Sequence, residues 1–470
     1  MRFFFATIIL IPVMFFAFKP GVINGQEKPE HPVFAGVSKR EINPKLGQNP
    51  VYMAGFGHNR IAKTIHDPLF VKVVVFKSNG RKIAICCADL VGFFLQEVDA
   101  IRKSLPDFDH IIFSCTHNHD GPDTLGIWGA SPFKSGLDEK YQKLIRDKAI
   151  EAVREAEANM KPVDAEIAAG EFPELVHDNR PPIVKMDQLT VLRLKEKTGS
   201  NLAALLFWHC HPETLGSKNT EISADFTGYT AAFLKDKWGC ESLVFSGAVG
   251  GLMTQLKLPV KDKAGKLLDD GTFEKTSRYG ELVAEAAIQA MRKPEKLHLG
   301  LVQVKTKSLM LPVENSIYQL AWQMGVFQRN IFDLERDAEG SNPLKSIKGI
   351  RAALKTEIGH LRLGDLGIAL IPGEIYPELV LGKVPMDAIE GADFPNAEIE
   401  VDLYSSMKTK YKTLVGLAND EIGYILPKKQ WDVKPPFTYG LKNGPYGEIN
   451  SLGPDTASVI SKAFAKLLAD

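Results

Sequence analysis

One stretch, FSCTHNHDGP at residues 113–122, most constrains the structure that this sequence can adopt. An apolar run leads into it, which predicts a buried strand, and its final Gly-Pro pair predicts a turn. His117 and His119 follow the strand directly. Two histidines one residue apart can point at one place only if the backbone curls there. Because histidine is the commonest metal ligand and a proton carrier near neutral pH, the stretch predicts a metal or proton-transfer site.

A second histidine cluster, HCHP at residues 209–212, also ends an apolar run. Two such endings in one chain predict a single metal site. If the strand continues through the cluster, His209 and His211 lie on the same face, because side chains in a strand alternate. Spacing therefore does not choose between them.

The composition indicates an ordinary globular protein. The chain has 470 residues, of which 44% are hydrophobic, and its 57 basic residues balance 57 acidic ones. Without a basic block, nucleic acid is not an expected partner. Strand-like and helical segments alternate without repeats or linkers. We therefore predict an α/β fold, with one large mixed-sheet domain flanked by helices and the metal site at strand ends.

Local patterns predict several elements of that fold. Residues 70–78 and 81–90 flank Asn79-Gly80, which is typical of a type I′ hairpin. Residues 139–160 have the spacing of an amphipathic helix. We also expect residues 316–356 to be mostly helical.

The N-terminus predicts export. Arg2 precedes an apolar stretch at residues 3–18, which is followed by a polar run. That length fits a signal peptide, assigned to residues 1–25, better than a membrane span of about 20 residues. The A-x-A cleavage pattern is absent, and a retained membrane anchor is the alternative. We expect the mature chain to be periplasmic or secreted.

The five cysteines do not form a disulfide framework. Cys86 and Cys87 are adjacent in a predicted strand and face opposite sides, the other three are scattered, and no C-x-x-C occurs. We predict mainly buried thiols, with room for one or two bridges at most.

Polar residues follow several of the predicted strands. They are His117, His119, His211, Glu374 and Tyr424. Two histidines and a carboxylate are a usual set of protein ligands at a hydrolytic zinc site. Spacing alone does not select these residues among 11 histidines and many acids.

An ordered set of motifs resembles the catalytic (N-terminal) domain of the neutral/alkaline non-lysosomal ceramidases. The motifs are THNHDGP at 116–122, HP at 211–212 through DFTGY at 225–229, PGE at 372–374, and GLAN at 416–419 through GY at 423–424. Shorter matches are AGV at 35–37, HDP at 66–68, ADL at 88–90, and YGE at 446–448 through GP at 453–454. Each motif is weak alone, and their order is specific. We assign this domain to residues 31–470.

The resemblance implies an exported zinc hydrolase in which zinc-activated water attacks an amide (N-acyl) bond. It implies that zinc is held by His117, His211, Glu374 and Tyr424. The implied substrate is a small-molecule or lipid amide from sphingolipid metabolism, which would allow peripheral contact with a membrane. Nickel, cobalt and iron accept similar ligands. No feature indicates the oligomeric state.

The resemblance also implies two catalytic side chains. His119 would exchange a proton with the water or the leaving amine, and Tyr446 would hydrogen-bond the developing oxyanion. Tyr439 is the alternative to Tyr446 for this role, because the loop before Tyr446 differs in length from the loop in the family.

One departure from the family bears on the substrate. Ceramidases carry a serine followed by proline where this chain has Gly250-Gly251. Glycine offers no nucleophile or donor, so only Ser246 or Thr254 could act instead, at displaced positions. The alternatives are a zinc hydrolase of another ester, lactone or amide, and a non-catalytic homologue that binds lipid or glycan.

Two other metal patterns fit less well. The HxHxDH motif of metallo-β-lactamases fails because Gly121 stands where the aspartate is required. A metal-dependent amidohydrolase barrel also begins with HxH. It expects further histidines and an aspartate at later strand ends, where this chain has Glu374 and Tyr424.

Overall fold

The computed structural model of this protein describes residues 32–469. The signal peptide predicted for residues 1–25 lies outside the described residues, so it stays a prediction. Within residues 32–469, no helix combines the length and the apolar character needed to cross a membrane.

The strands of the described residues lie between residues 34 and 425. In order they are β1 (Phe34–Glu41), β2 (Thr64–Ile65), β3 (Phe70–Ser78), β4 (Arg81–Ala88), β5 (His110–Cys115), β6 (Lys161–Glu171), β7 (His177–Asp178), β8 (Gln188–Glu196), β9 (Asn201–Trp208), β10 (Glu221–Ile222), β11 (Glu241–Ser246), β12 (Met253–Thr254), β13 (Glu295–Leu297), β14 (Val302–Pro312), β15 (Ile331–Asp333), β16 (Ala352–Leu363), β17 (Leu366–Leu370), β18 (Glu374–Ile375), β19 (Tyr411–Val415) and β20 (Tyr424–Ile425).

The α-helices of the same residues lie between these strands. They are α1 (Leu95–Ser104), α2 (Glu139–Ala158), α3 (Asp225–Trp238), α4 (Phe273–Ala290), α5 (Ser316–Gln323), α6 (Pro377–Leu381), α7 (Leu403–Ser406), α8 (Tyr446–Ile449) and α9 (Thr456–Ala469). Short 3-10 turns occupy Pro173–Leu175, Gly250–Leu252, Lys428–Gln430 and Thr438–Gly440.

The predicted hairpin is confirmed. β3 and β4 pair antiparallel from Ser78 opposite Arg81 onwards. Between them Asn79 and Gly80 have φ values of 49° and 77°. A type I′ turn requires positive φ at both central residues, which asparagine and glycine tolerate best.

The larger sheet has nine strands and is mixed. Its order is β11-β9-β8-β6-β1-β3-β4-β5, and β13 pairs with β6. Neighbours are parallel in β4–β5 and in β9–β11, and antiparallel elsewhere. Helices α1 and α2 cover one part of it, while α3 and α4 pack beside β11, β6 and β8. The predicted large mixed sheet flanked by helices is therefore confirmed.

A second sheet packs against the first. It has the order β14-β16-β17-β19, with β15 pairing with β16, and β17 and β19 are parallel. Side chains of both sheets share one apolar core, in which Phe207 and Phe245 of the first meet Ile368 and Leu370 of the second. Helix α9 packs on β14 and β16. The loops at the strand ends are therefore anchored to two packed sheets.

The helix predicted for residues 316–356 is wrong over most of its length. Helix α5 covers only Ser316–Gln323, and residues 352–363 form the strand β16. Glycines with positive φ interrupt the stretch at Gly325, Gly340 and Gly349. Strand β16 contains good helix formers, but it pairs with β14 over its whole length from Ala353 to Leu363. Tertiary pairing overrides the local helix propensity here.

The prediction of buried thiols is confirmed. Cys86, Cys87, Cys115, Cys210 and Cys240 are all buried and free. Burial raises the pKa of the Cys240 thiol to about 11, so it stays protonated at neutral pH.

Candidate metal centre

The candidate site lies where strands of both sheets end. The loop after β5 carries His117, and the loop after β9 carries His211. The chain continues from β17 into β18 and, after a loop, from β19 into β20. β18 and β20 pair as a separate two-stranded sheet, which places Glu374 directly opposite Tyr424. Loops at the carboxyl ends of neighbouring parallel strands converge on one edge of a sheet. The four predicted zinc ligands are thereby brought together.

The backbone curls at His117, as the HxH spacing requires. His117 has a φ of 67°, in the left-handed region that residues other than glycine adopt at a cost of order 1–3 kcal/mol. The curl brings the ring centroid of His117 to 4.8 Å from that of His119 and 4.9 Å from that of His211. Three imidazoles that are separated in sequence therefore face one point.

Hydrogen bonds to the backbone set the ring tautomers at two of these histidines. The Nδ1 of His117 lies 2.8 Å from the carbonyl oxygen of Val91, and the Nδ1 of His211 lies 2.8 Å from that of Met253. A carbonyl only accepts, so each Nδ1 carries the proton. In the neutral rings each Nε2 consequently presents a lone pair, which is the usual arrangement of a metal-ligating histidine.

Two oxygen atoms, from Glu374 and Tyr424, lie next to these Nε2 atoms. Oε2 of Glu374 lies 3.0 Å from Nε2 of His211 and 3.3 Å from Nε2 of His117, and the Tyr424 hydroxyl lies 3.4 Å from Nε2 of His211. Ligands about 2.0 Å from a tetrahedral zinc ion lie roughly 3.3 Å from one another. The donor set and its spacing therefore fit a zinc ion.

The pKa of Glu374 is lowered and that of His211 is raised, which indicates that the cluster stabilises a positive charge. Burial alone would raise the pKa of Glu374, but His117 and His211 outweigh it and hold that pKa well below its usual range. Burial would likewise lower the pKa of His211, but the hydrogen bond to Glu374 produces a net rise. The carboxylate thus draws a positive charge, from a proton or a metal ion, onto the neighbouring ring nitrogens.

His119 lies beside this cluster without a hydrogen bond to either ring nitrogen among the described residues. Its Nδ1 is 3.8 Å from Oε2 of Glu213. Burial and the nearby His117 and His211 lower the pKa of His119 well below its ordinary value, so the ring is neutral at neutral pH. Ligand nitrogens of the three histidines all lie within 4.8 Å of one another and could hold a metal ion.

The structure separates the two histidines that spacing could not. His209 lies in the interior, where its Nδ1 accepts a hydrogen bond of 3.0 Å from the backbone N–H of Ala248. Burial lowers the pKa of His209 to about 3, so the ring is neutral. His211 lines the pocket of the metal centre and His209 does not.

Tyr446 lines the same pocket, whereas Tyr439 is not among its lining residues. The Tyr446 ring centroid is 5.8 Å from that of Tyr424, with the two rings nearly perpendicular. Partial burial and the charges of Glu374 and Glu213 raise the pKa of Tyr446 to about 12. Its hydroxyl is therefore protonated at neutral pH and able to donate a hydrogen bond into the pocket.

The pocket has a volume of about 390 Å³ and two kinds of wall. Its polar part contains the three histidines with Glu374 and Tyr424. Its apolar part is lined by Phe56, Phe94, Leu125, Trp128, Trp322, Phe327, Leu354 and Leu452. Ligand pockets typically combine an apolar lining with a few convergent polar groups. This one suits a molecule with a long apolar portion and a polar group at the metal centre.

Two carboxyl groups that line the pocket, the largely buried Glu213 and the buried Glu421, were missed from the sequence. Glu213 faces His119 and accepts a hydrogen bond from the Thr254 hydroxyl. Burial and the charge of Glu374 raise the pKa of Glu421 well above its ordinary value. The only sequence signal for Glu213 was its position two residues after His211, and an acid in a turn is common without function.

Gly250 has no space for a serine side chain. A Cβ at this position would lie 2.6 Å from the backbone carbon of Ile375 and 2.6 Å from the backbone nitrogen of Tyr376, and real Cβ atoms do not approach backbone so closely. Of the two displaced hydroxyls, Ser246 donates to the carbonyl of Thr116. Only Thr254 contacts a residue of the pocket, through Glu213.

Curated relatives match part of the sequence. No protein-family model matches it. The chain is 26% identical over 160 residues to neutral ceramidase A of Dictyostelium discoideum and 26% identical over 202 residues to neutral ceramidase B of the same organism. The matches cover 30% and 38% of this chain, and 22% and 28% of those proteins. The chain therefore spans less than a third of the length of the curated relatives that it matches.

Solved structures match nearly all of the fold. The neutral ceramidase from Pseudomonas aeruginosa gives a TM-score of 0.65 at 17% sequence identity, covering 93% of this chain and 74% of that chain. A ceramidase complexed with C2 gives a TM-score of 0.67 at 16% identity, covering 93% and 75%. At such identities the likeness shows a shared fold. The extent of the domain, residues 31–470, stays a prediction. The sequence matches show that part of this chain is similar to neutral ceramidases, and the solved structures show that the fold is shared.

Proposed function

We propose that this chain is a zinc-dependent hydrolase that cleaves the amide bond of an N-acyl lipid of the ceramide type. One observation carries the proposal: the polar side chains that could hold a metal ion converge in one part of a pocket whose lining is largely apolar elsewhere. An amide bond between a fatty acyl chain and a polar amine matches that division. The likeness to neutral ceramidases supports the same substrate class.

His117, His211, Glu374 and Tyr424 would hold the ion. When bound, zinc lowers the pKa of water towards about 7 and polarises a carbonyl group. The Nδ1 hydrogen bonds of His117 and His211 to backbone carbonyls keep each Nε2 directed into the site. Glu374 supplies negative charge between the two rings.

His119 is suited to move the proton. Its ring is neutral, lines the pocket and has no competing hydrogen bond among the described residues. A neutral imidazole can accept a proton from the attacking water and return it to the leaving amine. Glu213, held by the Thr254 hydroxyl, lies on the Nδ1 side of His119 and would orient the ring.

Tyr446 should stabilise the oxygen on which negative charge develops. We expect Tyr446→Phe to lower kcat by about 10²- to 10³-fold with a small change in KM, because the lost hydrogen bond matters mainly in the transition state. Steady-state kinetics of amide hydrolysis would measure this. Tyr439→Phe is the matched control and should be close to the unaltered chain. A loss in Tyr439→Phe with none in Tyr446→Phe would contradict the assignment.

The surface beside the pocket supports peripheral contact with lipid. Trp322 of α5 lines the pocket, while Ile317, Leu320 and Met324 on or just after this helix are exposed by 61%, 50% and 45%. An apolar helix face next to a lipid-binding pocket can lie on a membrane interface. Co-sedimentation with lipid vesicles would measure this contact.

The proposed function is tested by measuring metal content together with fatty-acid release from ceramide. We expect about one zinc per chain, loss of release on chelation, and recovery when zinc is restored. Calcium added in place of zinc after chelation serves as the control and should not restore the rate. Release that continues at the same rate from protein shown to contain no metal would contradict zinc dependence.

A zinc hydrolase acting on another amide, an ester or a lactone is the second candidate. The observation that favours it is Gly250, which lacks the serine that ceramidases carry and has no space for one. Bound zinc without release of fatty acid from ceramide would support this candidate. Screening of other amides and esters would then identify the substrate.

A further inference from the structure

A second cavity, of about 170 Å³, lies in the second sheet away from the metal centre. Side chains of β14 and β16 form one wall, and the segment after α7 together with α9 forms the rest. The lining residues used below are Lys305, His360, Arg362, Lys408 and Thr409. None of them lines the pocket of the metal centre.

The cavity carries positive charge that nearby acids do not neutralise. Within the described part of the chain, neither Lys305 nor Lys408 forms an ion pair with a carboxylate. Arg362 donates from Nε to the carbonyl of Gly364 at 2.8 Å, and its ion pair with the half-exposed Asp365 is long, at 4.0 Å. An exposed pair at that distance contributes little. Among the described residues, three cationic side chains therefore surround a small volume without a close counter-charge.

Two buried polar atoms at the cavity lack partners. His360 and Thr409 are only 8% and 9% exposed, and within residues 32–469 the His360 Nε2 and the Thr409 Oγ1 have no hydrogen bond. Most buried polar atoms in proteins are paired, so each exception requires an explanation. Both residues line the cavity, and a ligand in it would supply the missing partner.

Gly367 shows that these two atoms face the same gap. It lies opposite Arg362 in the pairing of β16 with β17. A Cβ at this position would come 2.8 Å from His360 Nε2 and closer still to Thr409 Oγ1. The two atoms therefore lie close together at Gly367, where any side chain would collide with them, and both residues line the cavity.

Electrostatics agree with this geometry. Burial, together with the charges of Arg362 and Lys305, lowers the pKa of His360 to about 4. The imidazole is therefore neutral at neutral pH and can donate from Nε2 to an acceptor. A neutral donor next to unneutralised cations favours an anionic ligand over a cationic one.

We propose that this cavity binds a small tetrahedral oxyanion, either inorganic phosphate or the phosphate group of a monoester. Lys305 and Arg362 would make charge-assisted hydrogen bonds to its oxygens. His360 and Thr409 would add neutral donors, and Lys408 would close the outer side. The volume is sufficient for one such group.

The test is calorimetric titration of the whole chain with inorganic phosphate at low ionic strength. We expect one saturable site in the unaltered chain. In Lys305→Gln and in Arg362→Gln the Kd for phosphate should rise by about tenfold or more, because each substitution removes a hydrogen bond to a charged group. Arg336→Gln is the matched control. It also removes one positive charge, but its side chain is 83% exposed and lies after β15, which pairs with the other end of β16. It should bind phosphate like the unaltered chain.

Thermal unfolding shows whether each variant is folded and provides a second measure of phosphate binding. Phosphate should raise the Tm of the unaltered chain and of Arg336→Gln, and should raise that of Arg362→Gln much less. Chloride at the same ionic strength should raise none of them. Absence of saturable phosphate binding, or equal binding in all variants, would overturn the proposal.

The source of the phosphate is a separate arm. Binding of a soluble phosphomonoester with the same dependence on Lys305 supports a small-molecule ligand. Binding only to vesicles that contain phosphatidate, with no binding of free phosphate, would overturn it in favour of a lipid surface. None of these measurements uses amide hydrolysis. Their outcome therefore tests the phosphate site independently of the proposed function.

Discussion

Replacing His117 with alanine should remove the bound metal and the hydrolytic activity together. Its Nε2 is directed at Glu374 by the hydrogen bond from Nδ1 to Val91, so the substitution removes a donor that is held in place at the centre of the cluster. Loss of one protein ligand from a zinc site also removes the chemistry that the ion supplies. Metal content by elemental analysis and the rate of amide hydrolysis, measured on the same sample, check this.

The backbone at His117 requires a second variant. Alanine at a φ of 67° is strained, and strain alone could disturb the loop. His117→Gly also removes the ligand, but glycine adopts this conformation freely. Both variants should lose the metal. His177→Ala, which removes an exposed histidine, is the matched control and should keep both metal and activity. Full zinc content in folded His117→Gly would contradict the ligand assignment.

Replacing His119 with alanine should leave the metal in place and lower kcat by about 10²- to 10⁴-fold, the usual contribution of a general acid–base group. The expectation follows from its neutral ring and free nitrogens beside the cluster. The measurement pairs elemental analysis with single-turnover kinetics, which separate chemistry from substrate binding.

The opposite result would exchange the roles of the two histidines. Nitrogens of His117, His119 and His211 are close enough to hold an ion without Tyr424. If His119→Ala lost the metal and His117→Ala kept it, His119 would be the ligand. Loss of metal in both variants, with retention in Tyr424→Phe, would favour the three-histidine set.

Local sequence was sufficient for the features that depend on a few neighbouring residues. Asn79-Gly80 specified the hairpin because both residues tolerate positive φ. The HxH stretch required a curled backbone, and His117 provides it. Alternation of strand-like and helical segments was enough to predict a mixed sheet flanked by helices. The ordered motifs were sufficient to predict the resemblance to neutral ceramidases.

Only the tertiary structure decided how distant residues meet. The pairing of Glu374 with Tyr424 depends on the register of β18 and β20, and the choice of His211 over His209 depends on which way the chain turns after β9. Strand β16 is a strand because β14 pairs with it along its length, against the helix propensity of its residues. Propensity and periodicity act over a few residues, whereas a site assembled from strand ends is set by register and by packing between sheets. For that reason the sequence alone indicated the histidines, and the fold alone placed Glu213 beside His119 and closed Gly250 to a side chain.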